Sequence, residues 1–299
     1  MTSTVFSPPS DGEQIGGSAH DVTILTAGDD VELALHRWTR PGNQAVLFYI
    51  HGIQSHAGWL FETGPWLADG GVDVYALDRR GSGRSGGPRG HLRSAWQVLD
   101  DYERALGQVA AVAARRPLVA LGQSLGGSVL AALWATSRLP TLRRLVFCAP
   151  ALGQQRRRHS PEALRELRNS AGEQRRPLSL DDADYTSMTR YSAFMANDHL
   201  MLRQVTASTL ATLVELEDCY MTGAHPDPLP VALVRAVRDP IIDLDAAEAV
   251  LRSLSTFPID MRQFDIDRHY IEFSEARTAY WDWLITLVTA EADRPEPTS

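Results

Sequence analysis

Residues 118–130 read Leu118-Val119-Ala120-Leu121-Gly122-Gln123-Ser124-Leu125-Gly126-Gly127-Ser128-Val129-Leu130. The apolar run Leu118 to Leu121 has the length of a buried strand, and the small residues after Ser124, with Ala131 and Ala132, continue as a helical pattern to Ser137. A serine held between a strand and a helix sits on a sharp, strained turn. Flanking glycines are needed there because a β-carbon would strike neighbouring main chain. That context, more than the Gly-x-Ser-x-Gly spelling, marks Ser124 as a nucleophile. The spelling recurs at Gly83-Arg84-Ser85-Gly86-Gly87, but inside a glycine-dense turn with Pro88 behind it and no helix to follow. Ser85 therefore reads as a loop residue.

On either side of this segment, short β-rich runs lie at 31–38, 45–50, 72–77, 142–148, 230–236 and 259–264, with 117–122 as the run that leads into Ser124. Amphipathic stretches of helical length, such as 95–115 and 124–137, separate most of them. This alternation predicts an α/β fold with a mostly parallel sheet covered on both faces. The pattern breaks once, between Pro150 and Leu229, by far more residues than a crossover needs. The division predicted is a core over 21–152 and 230–290, a helical cap inserted over 153–229, a mobile leader over 1–20 and a short tail over 291–299. The first half of the insertion carries Arg156, Arg157, Arg158, Arg165, Arg168, Arg175 and Arg176 and reads as solvated. The second carries Leu202, Val205, Leu213 and Leu216 at helical spacing and reads as packed.

A chain of 299 residues with 44% apolar residues supports a sizeable core. Its formal net charge of −8 offers no basic face to nucleic acid, and no apolar run approaches the length needed to cross a bilayer. The first residues lack the basic start and apolar stretch of a secretory signal, so a cytoplasmic place is expected. Two cysteines, Cys148 and Cys219, make no disulfide framework and have no metal-ligand spacing; both read as buried thiols. The absence of lysine excludes Schiff-base chemistry and the phosphate loop ending in Gly-Lys-Ser/Thr. No cofactor and no metal are expected, and the partner expected is a small acyl compound.

A serine hydroxyl is inert at neutral pH without a base, and the base needs an acid to hold its tautomer. In this fold class those groups follow the serine in the order acid, histidine. Of nine histidines, only His269 lies between the last strand pattern and the final helix. Asp239 follows the strand at 230–236 directly and is chosen as the acid, with Asp243 as its rival four residues on. For the developing oxyanion, the backbone N–H of Leu125 lies at a helix N-terminus, and Ile53 in His51-Gly52-Ile53 supplies the second donor. His51 itself reads as structural.

His51-Gly52-Ile53, the Asp78-Arg79-Arg80-Gly81-Ser82-Gly83-Arg84-Ser85 loop, the elbow at Ser124, the long insert and the late Asp and His resemble the monoacylglycerol lipase and lysophospholipase-like family of α/β-hydrolases. The resemblance spans about Asp21 to Val288. It implies an α/β-hydrolase fold and a serine hydrolase, with Ser124 as nucleophile, Asp239 as acid, His269 as base, and Ile53 with Leu125 as oxyanion donors; the densely charged first half and apolar second half of the insert point to small or single-chain esters as substrates. Acyltransferases and carbon–carbon bond hydrolases use the same triad, and a noncatalytic binding protein on this fold is a further alternative. Two departures stand out: Gln123 where these lipases often carry His, and the Arg-rich first half of the insert.

Overall fold

The computed structural model describes residues 18–170, 172–222 and 228–292. The chain opens with the antiparallel pair β1 (Ala19–Thr26) and β2 (Glu32–Thr39), followed by β3 (Ala45–Ile50), α1 (Thr63–Asp69), β4 (Val72–Leu77), α2 (Ala95–Ala113), β5 (Leu118–Gln123), α3 (Leu125–Ala135) and β6 (Arg144–Cys148). The insertion holds α4 (Gln154–Arg158), α5 (Pro161–Asn169), β7 (Arg175–Pro177), α6 (Asp182–Tyr185), α7 (Thr189–Asn197), β8 (Gln204–Thr206) and α8 (Ala207–Thr222). The chain then returns through β9 (Val231–Ala236), α9 (Leu244–Leu254), β10 (Asp260–Phe264) and α10 (Arg277–Thr289).

Eight strands form one sheet in the order β1-β2-β4-β3-β5-β6-β9-β10, parallel from β4 to β10. Side chains alternate between its faces, as the pleat demands. Val46, Phe48 and Ile50 of β3 face the core under α2 and α3, while Leu47 and Tyr49 face that under α10. Every residue of β3, β4, β5 and β6 is buried, which is why these strands read as continuous apolar runs.

Four expectations need correction. First, β1 begins at Ala19, inside the predicted leader; the rest of that leader, 1–17, lies outside the described residues. Strand β1 escaped notice because it is an edge strand with most of its residues exposed, so its sequence AHDVTILT has little apolar alternation to display. Second, the predicted tail begins with a 3₁₀ turn over Ala290–Ala292, in which buried Glu291 accepts from Arg144 Nε at 2.8 Å; residues 293–299 lie outside the described residues. Third, the insertion is not wholly helical. Its β7 and β8 pair antiparallel, and Leu202 and Val205 stand before α8 rather than on it. Fourth, Cys219 is only half-buried, whereas Cys148 is buried as expected.

The Arg-rich half of the insertion is also less solvated than it reads. Arg156 and Arg168 both engage Asp218 of α8, at 2.9 and 2.7 Å, and Arg157 pairs with Asp243. These pairs fasten α4 and α5 to α8 and α4 also to the N-cap of α9.

Candidate active site

The turn between β5 and α3 is strained where the sequence requires it. Ser124 has φ 52° and ψ −119°, a backbone that L-residues rarely adopt and that costs on the order of 1–3 kcal/mol. The neighbouring glycines make it possible. A β-carbon at Gly122 would stand 2.4 Å from the Gly126 carbonyl oxygen, and one at Gly126 would stand 1.9 Å from the Ile50 oxygen. Ser124 N–H donates to the Cys148 carbonyl at 3.0 Å, and the Ser124 carbonyl accepts from Ala151 at 2.9 Å. The elbow is thereby locked to the end of β6.

Asp239 and His269 come together from the loops after β9 and β10. His269 Nδ1 lies 2.6 Å from Asp239 Oδ2, with both side chains sealed from solvent. The other carboxylate oxygen, Oδ1, accepts from the amides of Ile241 and Ile242 at 2.8 and 2.9 Å. Burial works against ionisation of this carboxyl, but His269 and the two amides outweigh it and hold Asp239 below the usual carboxylate range. Asp243 is elsewhere: its Oδ1 caps α9 by accepting from Ala246 N at 3.0 Å.

On its far side, His269 Nε2 meets Gln123 Nε2 at 3.3 Å, so the ring is delivered to the residue next to Ser124. A carboxylate at Nδ1 and an amide donor at Nε2 together favour the tautomer with its proton on Nδ1, leaving Nε2 free to accept. Gln123, one of the two departures from the family pattern, thus touches the histidine with its side chain. Backbone from the insertion completes the clamp: His269 N–H donates to the Asp184 carbonyl at 2.9 Å and Tyr270 N–H to that of Tyr185 at 3.1 Å. These long-range contacts leave no local sequence signal.

The loop after β3 approaches the elbow closely. A β-carbon on Gly52 would come within 2.7 Å of Gln123 Oε1 and 3.4 Å of Ser124 Cβ, so this glycine permits the approach. His51 is structural in its contacts: Nε2 accepts from Arg79 N at 3.0 Å and Nδ1 lies 2.8 Å from the Gly52 oxygen. Burial, reinforced by the Arg79 charge, lowers its pKa to about 3 and keeps it neutral. Arg79 also grips the carbonyls of Gly52 and Ile53 at 2.9 and 2.8 Å, which fixes the peptide planes of this loop. Leu125 begins α3, where the first amides have no intrahelical acceptor.

Ser124, Leu125 and Ile53 open together on a cavity of about 380 Å³. Its further walls come largely from the insertion: Arg158 and His159 at the end of α4, Leu178 and Leu180 after β7, and Leu210 and Leu213 of α8. Leu213, which the sequence reads as packed, also faces this space. Ser85, the rival serine, is buried in a turn, where its Oγ donates to the Asp78 carbonyl at 2.5 Å and accepts from Ala34 N at 2.9 Å.

Behind the histidine, Tyr49 at the end of β3 donates to Oε1 of the fully buried Glu272 at 2.6 Å. Burial pushes the Glu272 carboxyl above its ordinary range. Between the unfolded value near ~4.3 and the raised folded value, the native protein keeps a proton that the unfolded chain releases, so this group lowers stability as pH rises. Glu272→Gln, which keeps the acceptor for Tyr49 but cannot ionise, should therefore melt at or above the wild-type temperature at pH ~8, with the difference closing towards pH ~4. Tyr49→Phe should cost about 1–3 kcal/mol by stranding the carboxyl. Thermal melts across pH check both, and a pH-independent loss in Glu272→Gln would refute the neutral carboxyl.

A family model described as serine aminopeptidase, S33, matches residues 41–273 of the chain. Among curated relatives, the monoacylglycerol lipase of Mycolicibacterium smegmatis is 35% identical over 106 residues, covering 35% of this chain and 38% of that protein. Phospholipase YtpA of Bacillus subtilis is 29% identical over 121 residues, covering 40% of this chain and 45% of that one. The matches thus span less than half the length of these relatives. Among solved structures, a soluble variant of monoglyceride lipase from Saccharomyces cerevisiae aligns over 95% of this chain and 99% of its own, with TM-score 0.81 and 15% identity. A carboxyl esterase from Bacillus coagulans aligns over 92% and 99%, with TM-score 0.78 and 15% identity. At such identities the likeness is one of fold. With its model matched over most of the core and the insertion, the chain belongs to the serine aminopeptidase S33 family of α/β-hydrolases.

Proposed function

We propose that the chain is a serine hydrolase of carboxylic esters that works through an acyl-enzyme, with Ser124 as nucleophile, His269 as base and Asp239 as the acid that orients it. The observation that supports this reading is the 2.6 Å His269–Asp239 pair, whose imidazole meets Gln123, the residue before a serine whose strained turn opens on a cavity. In the reading, His269 Nε2 takes the Ser124 proton as Oγ attacks the ester carbonyl. The N–H groups of Leu125 and Ile53 receive the oxyanion, and the imidazolium formed is stabilised by Asp239 and returns its proton to the leaving alcohol. Water, activated by the same nitrogen, then releases the acid and frees the serine. The insertion acts as a cap, supported by the cavity wall that it contributes. A cytoplasmic place of action belongs to the same reading, with the free thiols of Cys148 and Cys219 in its favour.

The substrate favoured is a small or single-chain ester. The apolar side chains of Leu178, Leu180, Leu210 and Leu213 suit an acyl chain, and the cavity lies at the small end of the range for ligand sites. The exposed side of α4 and α5 is rich in arginine rather than in apolar residues, unlike a helix built to lie on an oil surface. The test is a panel of p-nitrophenyl esters and monoacylglycerols of graded chain length, run beside emulsified triacylglycerol and short aminoacyl amides. Soluble and single-chain esters should be cleaved at least tenfold faster than the emulsion. Strong activation at the oil–water interface, or amides preferred to esters, would count against the reading.

A further inference from the structure

Three consecutive arginines close α4, and they differ in what they do. Arg156 engages Asp218 at 2.9 Å and lies 3.7 Å from Glu217, while Arg157 pairs with Asp243. Arg158 has no carboxylate within ion-pair distance among the described residues. Its Nη2 donates instead to the main-chain carbonyl of Ile241 at 2.5 Å, which holds the guanidinium in place without neutralising it. It is also the one arginine among the described residues that lines the cavity on which Ser124 opens.

The other charge in that wall is already satisfied. Glu217 is buried, and its two carboxylate oxygens accept from the amides of Gln155 and Arg156, both at 2.8 Å. The rim of the cavity thus carries an anchored, solvent-exposed cation with no carboxylate partner among the described residues, while the oxygens of Glu217 in the same wall are occupied. Arg158 has donors left over, since a guanidinium carries five and its fork matches carboxylate and phosphate oxygens.

The anchor also gives the cation a side. Ile241 lies two residues beyond Asp239, and its own amide holds Asp239 Oδ1 at 2.8 Å. Arg158 is therefore fixed to the loop that carries Asp239, the partner of the imidazole that gives the leaving alcohol its proton in the reading above. We propose that Arg158 selects esters whose alcohol portion carries an anionic group, a carboxylate or a phosphate. This rests on the ester-hydrolase reading above and deepens it. The apolar wall takes the acyl chain and the arginine takes the charge at the other end of the molecule.

The experiment uses the full chain and two matched pairs of esters. In the first, 4-carboxyphenyl butyrate is compared with its methyl ester, so that the charge sits on the leaving group. In the second, mono(4-nitrophenyl) adipate is compared with 4-nitrophenyl hexanoate, so that the charge sits on the acyl chain. The quantity read is the charged-to-neutral ratio of kcat/KM within each pair, which cancels general damage to folding or turnover. Arg158→Gln should lower the ratio of the first pair about tenfold, as loss of a hydrogen bond between charged groups does, and Arg158→Lys should restore most of it. The ratio of the second pair should move less than twofold. An unchanged first ratio overturns the proposal, as does a fall confined to the acyl-charged pair. If the wild-type protein turns over none of the four esters, the ester-hydrolase reading fails and the proposal falls with it. Turnover with an unchanged ratio defeats the proposal alone.

Discussion

Replacing Ser124 by alanine is expected to abolish covalent labelling by a fluorophosphonate and to lower ester turnover by roughly 10⁶-fold, the scale on which triad serines act. The substitution should not harm the fold. Ser124 contributes its backbone to the elbow through bonds to Cys148 and Ala151, and alanine retains both. It leaves the positive φ of 52° in place, so thermal stability should change little. Ser85→Ala supplies the contrast. Ser85 Oγ bridges the Asp78 carbonyl and the Ala34 amide inside a buried turn, and its loss leaves both without that partner. The expected cost is about 1–3 kcal/mol of stability with labelling retained. Labelling kinetics and melting temperatures, measured on both variants, separate the two serines; labelling that survives Ser124→Ala and disappears in Ser85→Ala would reverse the assignment.

The second large effect concerns the acid. Asp239→Asn should give a folded protein that turns over roughly 10⁴-fold more slowly, because an amide in place of the carboxylate holds the imidazole in the wrong tautomer. The geometry sharpens this expectation. Asp239 Oδ1 is occupied by the amides of Ile241 and Ile242, so an asparagine would keep its carbonyl oxygen there and turn its NH₂ towards His269 Nδ1. That nitrogen would then have to accept, which puts the ring proton on Nε2, where the serine proton must go. Asp243→Asn should change turnover by less than about threefold, since asparagine also caps a helix well. Steady-state kinetics with a soluble ester distinguish the two. An inactive Asp243→Asn with an unchanged melting temperature would place the acid four residues later than argued here.

Much of this architecture was legible in the sequence, for physical reasons that differ by element. Strands β3 and β4 could be read to the residue because both faces are buried and apolar runs end where the sheet ends. The elbow was legible because glycines at 122 and 126 are demanded by contacts of 2.4 and 1.9 Å that no other residue could tolerate. The approach of Asp239 to His269 followed from chain order alone, since each stands just beyond a strand of the parallel sheet. Asp243 was legible as a cap from its own helix, and in the structure it does cap.

What the sequence did not display is what depends on partners distant along the chain. Strand β1 has one exposed face and an open edge, so it lacks the periodicity that betrays β2. The arginines of α4 and α5 looked solvated because their acids, Asp218 and Asp243, lie 50 to 90 residues further on. Gln123 has no local signal for its contact with His269, and neither has Tyr49 for Glu272, which stands 223 residues away. The short strands β7 and β8 are three residues each, too brief for any period to be read.

The central claim is that Ser124 carries the acyl group, and the most direct measurement is to find where that group resides. Asp239→Asn, reacted with p-nitrophenyl butyrate, should accumulate acyl-enzyme as deacylation slows, and the quenched protein can be digested with trypsin and weighed by mass spectrometry. The chain has no lysine, and cleavage after arginine places Ser124 in the peptide 116–138 and Ser85 in the separate peptide 85–89. The account predicts one butyryl increment on peptide 116–138, localised by fragmentation to Ser124 and absent from Ser124→Ala. A butyryl group on peptide 85–89, or on Ser128 or Ser137 within the longer peptide, would contradict it.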